Sequence, residues 1–189
     1  MQNELSNFTY LLRAAVGRGL RVVLNASPIS GEVLAADLTG VDWLVVNEIE
    51  CAAIAGCSTP EEGYAALRAR YPGLGILLTL GSEGSVSWKD GAEIRQCAYP
   101  VQAVDTTGAG DTFLGALAGY LSTLPPGLPS FEEVKRGIVY GTVAASFTCE
   151  SFSADALLSM TKETFRRRLE EYAEMCRLPD IRLSSASAC

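Results

Sequence analysis

Three short, predominantly apolar runs, separated by stretches with helical spacing, constrain the chain more than any other feature. They are Leu20-Arg21-Val22-Val23-Leu24-Asn25, Trp43-Leu44-Val45-Val46 running into Asn47, and Gly75-Ile76-Leu77-Leu78-Thr79-Leu80. A strand with one wet face alternates apolar and polar side chains. A run that does not alternate belongs to a strand covered on both faces, as in a parallel sheet flanked by helices. Leu5, Phe8, Leu12 and Ala15 fall at helical spacing and end at Gly17 and Gly19. A second helix is expected from Glu61 to Tyr71, with Tyr64, Leu67 and Tyr71 on one side and a stop at Pro72-Gly73. Ser85-Val86-Ser87-Trp88 and Ala92 to Cys97 then flank Lys89-Asp90-Gly91, which is a hairpin signal.

Further on, Phe113, Leu117 and Tyr120/Leu121 recur at helical intervals. Ser130 with Glu133 makes a capping box for a helix whose face is Phe131, Val134, Ile138, Gly141 and Ala145. Phe165, Leu169, Tyr172 and Cys176 mark a last amphipathic helix, on which Arg166-Arg167-Arg168 reads as a solvated face. The expected fold is an open α/β sandwich, with a mostly parallel sheet and an appended antiparallel hairpin. At 189 residues, 48% hydrophobic and 20% charged, the chain suits one domain with a sizeable core. That domain is expected over residues 1–180, with a disordered tail at 181–189.

Charge and missing residue types narrow the chemistry. A formal net charge of -7 does not suit general nucleic-acid binding, which needs a basic surface. The chain has no histidine. Its absence excludes Ser-His-Asp and Cys-His catalysis, disfavours zinc and non-haem iron sites, and leaves a carboxylate, Lys, Tyr or Cys as any general base. None of the six cysteines has CxxC spacing, so they read as reduced structural thiols. The N-terminus lacks the pattern of a signal peptide, and no apolar stretch approaches the ~20 residues that span a bilayer. A cytoplasmic protein with neither membrane nor nucleic-acid partner is expected.

Gly108-Ala109-Gly110-Asp111 carries the most chemical information. Small residues leading straight into a helix let backbone N–H groups converge on an anion, such as a moving γ-phosphoryl group. Asp111, in the first turn, could take the proton of an attacking hydroxyl. By themselves these residues also admit a plainer reading, in which Asp111 only favours the start of a helix. The string is neither a P-loop nor a dinucleotide GxGxxG.

The wider stretch Asp105-Thr106-Thr107-Gly108-Ala109-Gly110-Asp111-Thr112-Phe113 resembles the C-terminal signature of the ribokinase-type sugar kinases, the phosphofructokinase B family. Three other stretches fall in that family's order: Asn25-Ala26-Ser27-Pro28, Asn47-Glu48-Ile49-Glu50 and Thr79-Leu80-Gly81-Ser82-Glu83-Gly84. The wording is nearest the ribokinase branch, helped by Tyr99 to Asp105. The resemblance implies a ribokinase-like three-layer α/β/α sandwich and ATP-dependent transfer to a primary hydroxyl of a sugar, ribose in that branch. It implies Asp111 as catalytic base and the backbone of Gly108, Ala109, Gly110 and Asp111 as anion hole. It implies Asn47 near the phosphates and Glu50 near Mg2+ through water. Thr79, Gly81, Ser82 and Gly84 would line the ATP site, and Tyr140 would stack on adenine. Asp105 and the carbonyl of Thr107 would belong to a monovalent-cation site, normally K+. Read singly, Asn47 could merely end a strand, Glu50 could lie on the exposed side of the next helix, and Thr79 to Ser82 could be an ordinary turn.

The sequence departs from the family's pattern in two places. The basic, glycine-containing loop that normally completes the cation site is replaced by Phe147-Thr148-Cys149-Glu150-Ser151-Phe152-Ser153. The chain is also shorter than a whole family member, so the N-terminal part with most sugar contacts and the β-sheet lid is expected to be missing. Leu20 to Leu24 would then form an exposed edge open to pairing in a homodimer. A catalytically incomplete nucleotide-binding fragment or scaffold, and a nucleoside kinase of the same superfamily, stand as alternative readings.

Overall fold

A computed structural model describes residues 7–153 and 155–176. The expected tail at 181–189 lies outside them, as does Leu5. The described residues form two compact units, one reaching to Gln96 and including Pro126–Leu128, the other comprising the rest from Cys97 onward.

The first unit runs α1 (Phe8–Gly17), β1 (Val23–Asn25), α2 (Gly31–Leu34), β2 (Trp43–Asn47), α3 (Glu48–Ala55), α4 (Pro60–Arg70), β3 (Gly75–Thr79), a 3-10 turn (Gly81–Glu83), β4 (Ser85–Lys89) and β5 (Ala92–Gln96). The five strands form one sheet in the order β1-β2-β3-β4-β5. β1, β2 and β3 are parallel, while β3–β4 and β4–β5 are antiparallel. Leu24, Leu44, Val46, Ile76, Leu78, Val86 and Trp88 join Phe8 and Leu12 of α1 and Leu67 of α4 in one core. Trp43, Val45 and Leu77, which alternate with them, are buried as well. Both parities are therefore apolar, which is why the strands do not alternate. At the hairpin tip Asp90 and Gly91 both have positive φ, at 51° and 83°, the twist a two-residue turn needs.

β1 is shorter than the apolar run that signalled it, because Val22 is recruited by the neighbouring loop. Its N–H donates to the Asp42 carboxylate at 2.6 Å, and its carbonyl accepts the amides of Asp42 and Trp43.

The second unit contains α5 (Ala109–Ser122), α6 (Phe131–Thr148), α7 (Asp155–Ser159) and α8 (Lys162–Met175). The expected capping box opens α6, with Ser130 accepting the Glu133 amide and Glu133 accepting that of Ser130. α5 and α6 approach closely because Gly137 and Gly141 present no side chain. A Cβ on Gly137 would lie 2.6 Å from Leu117, and one on Gly141 2.8 Å from the ring and carbonyl of Phe113. α8 covers α6 through Leu169 and Tyr172 packed with Val139, Val143 and Phe147.

Candidate functional site

In the first unit, the three parallel strands all end on a polar residue: Asn25, Asn47 and Thr79. The register sets Asn47 opposite Thr79. Carboxyl ends of parallel strands are where open α/β sheets bind ligands, because the loops there leave a crevice. Thr79 donates its hydroxyl to the Val46 carbonyl at 3.3 Å, which ties the ends of β2 and β3 together.

Asn47 is at once the last residue of β2 and the N-cap of α3. Its Oδ1 accepts the Glu50 amide at 2.9 Å, and Glu50 Oε2 accepts the Asn47 amide at 2.9 Å. Glu50 is buried in this arrangement and is not on the exposed side of its helix. The sequence carried the signal, since Asn-x-x-Glu has the spacing of a capping box. The pair therefore has a structural task whatever else it does.

Past Thr79 the chain reverses in one 3-10 turn. Leu80 donates its amide to the Gly84 carbonyl at 2.8 Å, and Gly84 donates to Gly81 at 3.1 Å. Gly84 sits at φ 100°, ψ -126°, a conformation open only to glycine. Gly81 and Ser82 are exposed on this turn.

In the second unit, the loop before α5 is pinned to the end of α6. Val104 donates its amide to the Cys149 carbonyl at 2.8 Å. The Asp105 carboxylate accepts the Thr107 amide at 2.9 Å. Hydrogen bonds from Thr107, chiefly its backbone N–H, hold the Asp105 carboxyl below the usual carboxylate range, and the Ser153 backbone adds to the effect. The segment that departs from the family's pattern thus still reaches Asp105.

Gly108 follows at φ 79°, ψ 0°, and α5 begins at Ala109 with no side chain capping its first turn. By contrast α3, α4, α6 and α8 each start on an Asn, Thr or Ser whose oxygen accepts the amide three residues on. The Ala109 amide donates to the Thr106 carbonyl at 3.1 Å, so that one of the four expected anion-hole amides is already partnered. Asp111 lies exposed in the first turn. A Cβ added at Gly110 would meet nothing within 4 Å. The arrangement can present a helix N-terminus to an anion, with the Asp111 carboxylate beside it.

Tyr140 belongs to an aromatic stack, with Tyr120 at 5.1 Å and Phe165 at 6.0 Å between centroids. Burial pushes its phenol up, and Tyr120 adds to that. The expectation of a solvated Arg166-Arg167-Arg168 face is corrected at Arg168. Its guanidinium lies 3.7 Å from the Phe147 centroid and 4.9 Å from that of Tyr99. It also donates to both carboxylate oxygens of Glu150 and to Ser146 Oγ. Its position three residues after Phe165 and four before Tyr172 places it on the packed face, a signal that the run of three arginines obscured. Arg166 and Arg167 are exposed as expected. Among the described residues no three His, Cys, Asp or Glu are grouped to hold a metal, and no helix is long and apolar enough to cross a membrane.

A family model described as pfkB family carbohydrate kinase matches residues 2–160. Ribokinase of Staphylococcus aureus (strain COL) is 31% identical over 156 residues, covering 79% of this chain and 48% of that protein. Fructoselysine 6-kinase of Escherichia coli (strain K12) is 38% identical over 80 residues, covering 42% of this chain and 28% of that one. Among solved structures, Arabidopsis thaliana ribokinase complexed with ribose and ATP matches with a TM-score of 0.67 at 28% identity, over 89% of this chain and 54% of that one. The fold is accordingly ribokinase-like α/β. The chain spans about half the length of the ribokinases it matches.

Proposed function

Because the chain belongs to the pfkB carbohydrate kinase family, we propose that it carries the phosphoryl-transfer portion of an ATP-dependent kinase acting on a primary hydroxyl of a sugar. The observation that supports this most is the start of α5, where Gly108 turns at positive φ, no side chain caps the helix, and Asp111 stands exposed beside it. There the helix N-terminus stabilises charge on the γ-phosphoryl group in flight, and Asp111 accepts the proton of the attacking hydroxyl. With no histidine in the chain, a carboxylate is the natural general base. Asp105 orders the loop that presents these groups.

In the first unit, Thr79, Gly81, Ser82 and Gly84 bind nucleotide, and Asn47 serves near the phosphates. Mg2+ supplies neutralisation of phosphate charge when bound. Glu50 would hold the ion through water rather than by direct ligation. For K+ the residues offer one carboxylate, Asp105, already engaged by amides. Together with the Thr107 carbonyl, that carboxylate would hold the cation, which would help order the loop before α5. Ribose is the acceptor assigned first, in a cytoplasmic setting. β1, an edge strand, is the element by which a second copy would pair.

A second reading, nucleotide binding without transfer, is favoured by the Ala109 amide, which the Thr106 carbonyl already engages at 3.1 Å. A thermal-shift titration with Mg-ATP, with and without ribose, deoxyribose or fructoselysine, separates the two. The kinase reading expects stabilisation by Mg-ATP and sugar-dependent ADP formation. Stabilisation by Mg-ATP with no sugar effect and no ADP favours the second reading, and no response to Mg-ATP contradicts both.

A further inference from the structure

Cys97 and Cys176 stand 79 positions apart in the chain, yet their sulfurs lie 3.2 Å from each other. Cys97 is exposed, directly after β5, and Cys176 is the half-buried C-cap of α8. Two other contacts hold the same segments together. Tyr172, fully buried one turn before Cys176, donates its hydroxyl to the Cys97 carbonyl. Tyr99 donates its hydroxyl to Glu171 at 2.6 Å. The sulfurs are thus kept adjacent by packing that does not depend on a bond between them. No third Cys, Asp or Glu joins them as a metal ligand among the described residues.

The geometry points to an oxidative modification site, in which Cys97 and Cys176 close an intramolecular disulfide by exchange with a small-molecule disulfide. The Cys97 thiolate attacks one sulfur of the oxidant, breaks its S–S bond and releases one thiol, leaving a mixed disulfide. Cys176 loses its proton to solvent and attacks the Cys97 sulfur, releasing the second thiol. Two protein thiols are oxidised, and one disulfide is reduced to two thiols. Burial, and then the contact with Cys97, push the Cys176 thiol up to about 11, which suits Cys97 as the point of entry and Cys176 as the resolving group. The closed bond would staple the start of the second unit to the end of α8. Closure across so long a loop restricts the unfolded chain and raises stability. In reducing surroundings the pair reverts to thiols.

The test uses the 189-residue chain incubated with excess glutathione disulfide, quenched with an alkylating agent and digested without reductant, alongside Cys97→Ser and Cys176→Ser. The wild type is expected to yield one Cys97–Cys176 linked peptide and no lasting glutathione adduct. Cys176→Ser is expected to trap glutathione on Cys97. The wild-type melting temperature is expected to rise by about 5 °C or more and to fall back with dithiothreitol. Glutathione retained on wild-type Cys97, links formed instead to Cys57 or Cys149, or no reaction would each overturn the proposal.

Discussion

Thr107 donates its backbone N–H to a carboxylate oxygen of Asp105 at 2.9 Å, and the next residue, Gly108, turns into the left-handed region. The hydrogen bond fixes the loop just before the turn that aims the start of α5. It also keeps Asp105 ionised to lower pH than an isolated carboxylate, through the Thr107 bonds first. A carboxyl whose pKa falls on folding adds stability that is complete above its unfolded value, ~3.9, and is lost as pH drops through the folded value. Asp105→Asn should therefore lower the urea midpoint at pH 7, with the difference from wild type shrinking as pH falls below about 4. Urea titrations at both pH values check this, and an equal difference at each would refute it.

Gly110 and Gly115 both lie in α5, and neither has anything within 4 Å of where a Cβ would be. Alanine at either position should leave the fold intact or stabilise it by up to about 1 kcal/mol. Only Gly110→Ala should weaken Mg-ATP binding, by about tenfold or more, because its methyl group would stand where a phosphate approaches the amides. Calorimetric titration of the two variants decides the matter, and equal affinities would remove Gly110 from the site.

Asn47 combines a cap with a place at the carboxyl edge of the sheet. Asn47→Ala should cost about 1 kcal/mol through the lost cap. Asn47→Asp keeps an oxygen for the Glu50 amide, so it should be nearly as stable as wild type. Its added negative charge should nevertheless weaken Mg-ATP binding. Melting curves and nucleotide titrations of both variants separate the two roles, and unchanged affinity in Asn47→Asp would leave Asn47 purely structural.

Arg168 joins α8 to the end of α6 through Glu150, Ser146 and Phe147. Arg168→Ala should destabilise by about 1–3 kcal/mol, since it removes charge-assisted bonds to Glu150, a bond to Ser146 and a cation over a ring. Arg168→Lys should recover only part of this, because an ammonium lacks the planar fork. Arg167→Ala, at an exposed pair, should change little. Chemical denaturation of the three variants gives the comparison.

Most of the fold was legible because its signals are local. Unbroken apolar runs gave β2 and β3, Asp90-Gly91 gave the hairpin, and Ser130 with Glu133 gave the start of α6. The shortened β1 was not legible, because the group that takes the Val22 N–H, the Asp42 carboxylate, is distant in sequence. Arg168 was misread because a charged residue on a packed face is identified by its partners, Glu150 and Phe147, which sequence alone does not bring near. At the candidate site, the motifs named residues to examine, and only part of their structural work followed from the spacing. The spacing of Asn47 and Glu50 already marked a capping box, whereas the Ala109 amide bonded to Thr106 emerges only from the geometry.

The most direct test of Asp111 as general base compares wild type with Asp111→Asn by Mg-ATP calorimetry and by sugar-dependent ADP formation. The account predicts Mg-ATP affinity within about threefold of wild type and ADP formation lowered by ~10²–10⁴-fold. Undiminished ADP formation in Asp111→Asn, or a loss of Mg-ATP affinity large enough to explain the whole decline, would contradict it.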